Sequence, residues 1–523
     1  FMRGRTTPLE FRSALRVSQN VGRFIRHQPG EEQTHRLNTS RGRLDVTAEP
    51  HLSYRLGQVE DPFVADLFFR PGAEVFLGGG TQAGLRADFI ADEGDGRLDR
   101  AYVSRFARPR SRRFVLATAF GQIAAGVRAW HGEGLLTSAD DRARFGGSIS
   151  FVGENLFDLD EGRHGRSFLG LLECEVQPLD LTLRASGGQF LSGDRGVRLD
   201  LVRRFDEREM TFSGVHTDFG DKWAFNLRVP LGPETLPRPH CGRLRWAEDA
   251  DVEYRSTILD LGETIDYDFS LRAFRDELSG PYIVQHPEEL RRAVTHLRRA
   301  GLLPADVSAH VETEPKARPY PTWWPSVLGR SGLVVAPTAD TLGDGEYAFG
   351  VGFIDRDHTM QFGRTWKRTA SIAPYAAFGF LPGLEVGMRY TIYPSLNAYD
   401  WGYSTNRAPY AHLRVLRESG RRPALAAFAE DLAGAPVEET YGVVASKRMG
   451  SLQLSAGWGS GRFRGVFGGI ACPIGRRARV VGEYDSRFVN LGAAVQLDSL
   501  RVQLALLNLD GVAAGVSYWG RLH

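Results

Sequence analysis

The stretch 43–56, RLDVTAEPHLSYRL, alternates without a break. Leu44, Val46, Ala48, Pro50, Leu52, Tyr54 and Leu56 take the even positions. Arg43, Asp45, Thr47, Glu49, His51, Ser53 and Arg55 take the odd ones. Successive side chains of a strand point to opposite faces, so the pattern predicts one extended strand with an apolar face and a charged face. Such a strand suits two solvents. In a soluble sandwich the apolar face meets a second sheet; in a membrane barrel it meets lipid, and the charged face lines an aqueous lumen.

The pattern recurs along most of the chain. Between 43 and about 232, segments such as FVLATAF, GGSISFV, DLTLRAS, GVRLDLVRRF and KWAFNLRV are strand-length. Turn-forming clusters like SGDRG and DFGDK separate them. From 331 onward thirteen candidate strands follow, from EYAFGVGFI to VAAGVSYW, with TMQFGRTW as the second. Their spacing of about 15 residues fits strands of ~10 residues joined by short turns. No helices intervene, which predicts antiparallel, up-and-down connectivity. Residues 233–330 change character: HPEELRRAVTHLRRAGLLP predicts a helix, ADVSAHVE a strand, and EPKARPYPTWWP a proline-rich boundary. Residues 1–42 are basic, and Thr7, Pro8 and Glu10 mark the start of a short helix. The expected organisation is therefore an N-terminal extension (1–42), a first barrel half (43–232), a linker with a small α/β periplasmic insert (233–330) and a second barrel half (331–523).

Composition narrows the choice of solvent. The chain is 42% hydrophobic, with 60 Gly and 11% aromatic residues, which is lean for a large packed core. No run reaches the ~18 uninterrupted apolar residues of a membrane helix. A barrel passes that test, because its strands are only half apolar, and the mean hydropathy of −0.28 does not argue against it. Charges recur on the inward-facing positions of strand after strand, many apolar faces are rich in Gly and Ala, and no blade-length repeat points to a propeller. These features favour lipid over a second sheet. The expected fold class is all-β, with antiparallel up-and-down transmembrane β-barrels in two halves.

Net charge of +2 gives no reason to expect nucleic acid as a partner. Lysine is confined to Lys222, Lys316, Lys367 and Lys447, so basic charge is almost wholly arginine. Cys174, Cys241 and Cys472 lack metal-ligand or disulfide-framework spacing. FMRGRTTPLEF lacks the apolar core of a signal peptide. No GxSxG, GxxxxGK[ST] or HExxH motif occurs, His286 and His296 are spaced too widely for a zinc pair, and ADEGDGRLD reads as a hairpin turn. No enzyme, cofactor or metal is expected from linear motifs; a hydrolase would need Ser, His and an acid brought together from separate strands. The remaining chemistry is that of a pore. Arg43, Asp45, Glu49, His51, Arg55, Glu385 and Arg389 are the lumen-lining candidates, a mixture of signs suited to hydroxyl-rich or uronic-acid polymers. The alternative is that they bond one another and plug the lumen. Tyr320, Trp323 and Trp324 are candidates for stacking on sugar rings or for anchoring at the membrane interface.

A family likeness adds to this reading. GRSGLVVAPTADTLGDGEYAFGVGF (329–353) resembles the opening of a YjbH-type outer-membrane β-barrel. LPGLEVGMRYT (381–391), GVFGGIACPI (465–474) and EYDSRFVNLGAAVQL (483–497) resemble later strands and turns of that family. ASGGQFLSGDRGVRLDLVRRF (185–205) and KWAFNLRVPLG (222–232) resemble a second barrel segment, so the two segments stand in swapped order here. The resemblance touches about a third of the chain and implies an outer-membrane location and help with exopolysaccharide export, without covalent catalysis. It also implies outer-membrane lipid, secreted polysaccharide and periplasmic export or envelope proteins as partners. A plugged scaffolding barrel and a barrel-embedded lipid-modifying hydrolase are the alternatives.

Overall fold

The computed structural model describes residues 42, 44–56, 63–90, 96–107, 113–124, 127–138, 142–153, 165–176, 179–205, 208–230, 242–246, 249–255 and 261–264 in the first half, and 323–355, 370–393, 404–431 and 439–522 in the second. All regular elements among them are strands, as the alternation predicts. The two expected helices and the candidate strand TMQFGRTW lie outside the described residues. The chain forms two units.

The first unit is a 14-stranded sheet in which β1 (Leu44–Leu56) through β12 (Gly220–Pro230) follow one another in chain order. Its two edges are occupied by β13 (Gly242–Trp246) and β14 (Asp249–Arg255). β13 pairs in parallel with the start of β1, from Leu44↔Gly242 to Ala48↔Trp246. β14 pairs antiparallel with β12, from Pro230↔Asp249 to Ala224↔Arg255. β12 runs opposite to β1, so β13 and β14 run the same way and are two halves of one pass. Only residues 247 and 248 separate them, and three Cα steps of ~3.8 Å span at most about 11 Å. One pass of chain therefore holds both edges and brings them together.

The second unit is a closed barrel from β15 (Glu346–Ile354) to β26 (Gly511–Arg521), antiparallel throughout. It closes through β15 and β26, from Glu346↔Arg521 to Ile354↔Ala513. Closure by the barrel's own first and last strands removes every free edge of this sheet.

Burial settles which face is wet. In both units the apolar face is the exposed one: Leu85, Val103, Phe120 and Phe145 in the first, Val443, Val466, Leu491 and Leu504 in the second. The charged face is the buried one, with Asp88, Glu133, Glu173, Glu385 and Glu483 all below one-tenth exposure. A water-soluble fold reverses this arrangement, because transferring apolar area out of water is the main gain of folding. Hydrocarbon around the outer wall restores that gain, and the interior keeps the polar groups hydrogen-bonded.

A recurrent joint stiffens the inner walls. Tyr102 of β4 (Gly96–Ala107) lies across Gly84 of β3 (Thr81–Ile90) and donates its hydroxyl to Glu74 of β2 (Phe63–Gly78) at 2.9 Å. A Cβ at Gly84 would strike the ring. Tyr410 of β18 (Ser404–Leu416) repeats this over Gly387 of β17 (Leu384–Tyr393), reaching Glu385 at 3.0 Å. The ring fills the space left by the missing side chain, and its polar tip finds a carboxylate.

Candidate functional site

Residues 323–345 of the second unit have no strand alternation, yet nearly all of them are buried. Their partners come from strands all around the ring. Val327, Leu333, Val334 and Val335 pack with Ile354, Ala471, Val481, Leu507 and Ala513, while Ala336 and Ala339 pack with Phe428, Val444, Phe463 and Phe467. A segment that touches inward residues on so many strands of a closed barrel occupies its lumen. It is a plug.

Three carboxylates latch it. Glu385 accepts Ser331 N–H at 3.0 Å, the Ser331 hydroxyl at 2.6 Å, Leu342 N–H at 3.1 Å and the Tyr410 hydroxyl. Glu483 of β23 (Ala478–Tyr484) accepts three successive backbone donors, Val334, Val335 and Ala336, at 2.9, 2.9 and 3.1 Å, and the Asn490 amide at 2.9 Å. Backbone amides converging on one anion form a nest, here with the anion supplied by the wall and the nest by the plug. Glu430 pairs with Arg330 of the plug at 2.6 Å, and the Arg330 guanidinium also stacks over Phe428 at 4.5 Å. A fourth acid, Glu346, takes the Trp323 indole N–H and Gly343 N–H at the start of β15.

Side-chain donors on the wall hold the plug's carbonyls. Arg479 donates to Gly332 O at 3.0 Å and Leu333 O at 3.2 Å, and Gln503 donates to Leu333 O at 3.2 Å. Backbone groups with no secondary structure thus find partners on the wall, which their burial requires. Two wall glycines give the plug clearance: a Cβ on Gly352 would be driven into the Val327 carbonyl, and one on Gly379 into the Gly343 carbonyl. In the sequence, apolar faces rich in Gly and Ala favour lipid over a second sheet; at these inward positions glycine is room for a second backbone.

The first unit carries a different interior. Arg144, Glu173, Arg184 and Asp200 are successive register partners on β7 (Ala143–Gly153), β8 (Gly165–Val176), β9 (Leu181–Gln189) and β10 (Arg195–Phe205). Arg144 and Arg184 both pair with Glu173, the latter at 3.1 Å, and Arg198 reaches Asp200 at 2.8 Å. Further along, Arg86 bonds Asp99 at 2.7 Å and Arg70 bonds Asp88 at 2.9 Å. Acids and arginines are interleaved along the wall, so each of these carboxylates has a cationic neighbour. His131 of β6 (Val127–Thr137) lies 2.9 Å from Ser150 Oγ through Nδ1 and 3.8 Å from Glu133 through Nε2.

Of the lumen-lining candidates, Glu385 and Arg389 face inward and are buried. Glu385 is a latch; Arg389 donates to Thr391 at 3.1 Å and lies 4.0 Å from Glu430. Asp45, Glu49, His51 and Arg55 fall on β1, whose Leu44 and Val46 are exposed, but their side chains and all of Arg43 lie outside the described residues. Tyr320 lies outside them too. Trp323 is a correction: it is 2% exposed, its indole N–H held by Glu346 and its ring covered by Arg501 at 4.4 Å. Trp324 is half-buried beneath Arg479 and Arg501, both at 4.8 Å. Neither ring meets a membrane interface or a free sugar face; they clamp the plug's entrance through cation–π contacts. Glu430, Glu483, Arg330, Arg479 and Gln503 escaped sequence reading. The signal was present for Glu483, since Arg479, Val481 and Glu483 alternate against Val480, Gly482 and Tyr484.

Residues 325–492 match the model of the YjbH family, described as exopolysaccharide biosynthesis protein YbjH. The match runs from the plug into β24 (Val489–Leu497) and bears out the likeness seen in 329–353, 381–391 and 465–474. Of the stretch 329–353, the part before Glu346 is plug and the rest is β15. No curated protein matches the sequence. Among solved structures, two engineered porins of Rhodopseudomonas blastica are similar at 9% identity, each alignment covering 80% of this chain and 99% of the porin, with TM-scores of 0.20 and 0.19.

Proposed function

We propose that the protein sits in a bacterial outer membrane and assists export of an exopolysaccharide by docking the polymer or its export machinery, with no covalent step. The second barrel serves as a closed anchor and the first unit, with its neutralised belt of Arg and acid, presents the polymer-facing chemistry. The observation that carries the reading is the latched plug, because a lumen filled by 323–345 leaves no path for a chain of sugars. The family match supports a polysaccharide as the polymer concerned. Arginine beside carboxylate suits a partner rich in hydroxyls and uronic acids, since each side chain keeps a bonding partner whether the polymer is present or absent. Deleting the gene is expected to abolish polymer secretion with envelope integrity kept. Full-length protein in planar bilayers is expected to show no open-pore conductance attributable to the second barrel. Normal secretion in the deletion strain would overturn the reading.

A second reading, a barrel-embedded hydrolase, is favoured by the Ser150–His131–Glu133 arrangement. The imidazole stands between a hydroxyl and a carboxylate, as a nucleophile and its base require. It is the weaker reading, because the acid is 3.8 Å away and all three groups are buried in mid-wall. Labelling of Ser150 by a fluorophosphonate probe, lost in Ser150→Ala, decides between them.

A further inference from the structure

The two ends of the second barrel differ in connection length and in charge. At one end the strands are joined through 382–383, 417–423, 450–451, 475–477 and 498–499; at the other through 355–370, 394–403, 431–439, 460–464, 485–488 and 508–510. Three successive hairpins at the short-turn end carry Arg417, Arg421 and Arg422, then Lys447 and Arg448, then Arg476 and Arg477. The acids nearby are engaged. Glu418 holds Lys447 at 3.0 Å and Arg448 N–H at 3.0 Å, Asp340 holds Gln453 at 2.7 Å and Arg448 at 3.3 Å, and Asp498 lies 3.8 Å from Arg477. Arg417, Arg421, Arg422 and Arg476 are left exposed, with no acidic partner among the described residues.

These cations border the apolar wall directly. Val415 and Leu416 precede Arg417, Met449 follows Arg448 and Ile474 lies two residues before Arg476, each more than half exposed. A strand rises ~3.3 Å per residue, so the guanidinium groups begin within about 7 Å of the last lipid-facing side chain. That is the depth of headgroup phosphates, within reach of a long side chain that keeps its stem on the apolar surface. A soluble acidic polymer would need the charge but not the apolar border.

We propose that this basic crescent binds the phosphates of anionic glycerophospholipids in the leaflet at the short-turn end, fixing the barrel's depth and tilt. Short turns mark the periplasmic end of outer-membrane barrels, which assigns the inner leaflet. Guanidinium forks match phosphate oxygens bidentately, so several headgroups can be held side by side around the three hairpins. The site is independent of any transport role.

The test uses full-length protein reconstituted in mixed phosphatidylcholine–phosphatidylglycerol vesicles, extracted mildly, with the retained lipid quantified. Enrichment of phosphatidylglycerol over its bulk fraction is expected, falling by up to about fivefold for each basic group removed. The quadruple variant Arg417→Gln, Arg421→Gln, Arg422→Gln, Arg476→Gln is expected to bring the ratio to that of the bulk. Arg464→Gln, at the opposite end, is expected to leave it unchanged. Heat-modifiable gel mobility reports that the variants are folded, and all four side chains project from the rim. Equal retention of both lipids by the wild type would overturn the proposal. So would capture of soluble polygalacturonate that is lost in the quadruple variant without any lipid selectivity.

Discussion

The two units solve the same edge problem with different closures and fill their interiors differently. In the second, β15 and β26 meet antiparallel and the ring is complete in itself. In the first, β1 and β12 are brought together by one pass split between them, parallel on one side and antiparallel on the other. The inner wall of the second is bonded to a plug, whereas Asp88, Asp99 and Glu173 of the first are bonded to arginines on neighbouring strands. The difference shows what a buried carboxylate needs. Glu483 is held by three backbone amides and Glu173 by two guanidinium groups, and either supply offsets part of the cost of holding a charge away from water.

The comparison is broken most severely by Glu483→Ala. It strips three buried N–H groups of their acceptor and is expected to cost about 3–5 kcal/mol. Limited proteolysis in intact vesicles should then cut within 323–345, while cleavage of the first unit stays unchanged. Continued protection would mean that shape alone retains the plug. Next in size, Leu504→Arg in the second unit and Val103→Arg in the first should each destabilise by roughly 2–4 kcal/mol, if lipid bathes both walls near mid-depth. Urea titration in vesicles reads this out, and a cost confined to one unit would show that the other wall faces protein or water. Leu244→Pro puts a proline in the middle of the parallel ladder between β13 and β1 and should cost about 1–3 kcal/mol in the first unit only. Hydrogen exchange of β1 amides is the measurement; unaltered protection would deny β13 its sealing role. The smallest effect is expected at the shared joint. Tyr102→Phe and Tyr410→Phe should each lose about 1 kcal/mol, with similar shifts in thermal midpoint.

Much of the wall was legible. EYAFGVGFI, LEVGMRYTI and ARVVGEYD fall on β15, β17 and β23, since a period of two is a property of neighbouring residues. Inward placement of Glu385 and Arg389 followed from the same alternation. What those groups touch was not legible. The expected boundary at 330/331 cuts through a plug whose described part begins at Trp323, because prolines and an aperiodic run look like a linker whether they lie in solvent or in a lumen. GRLRW and DADVEYR were read as part of a linker and insert, yet they pair with strands already laid down.

The sequence by itself determined that the chain is strand-forming, which face of each strand is apolar, and that the opposite faces are too charged for a dry core. Those properties depend on side-chain order over a few residues and on the fixed geometry of an extended backbone. Only the tertiary structure decided that Leu44 meets Gly242 and that Leu333 meets Gln503, 170 positions away. Such pairings depend on ring closure and on which backbone groups remain unbonded once the strands are paired. No local pattern encodes them.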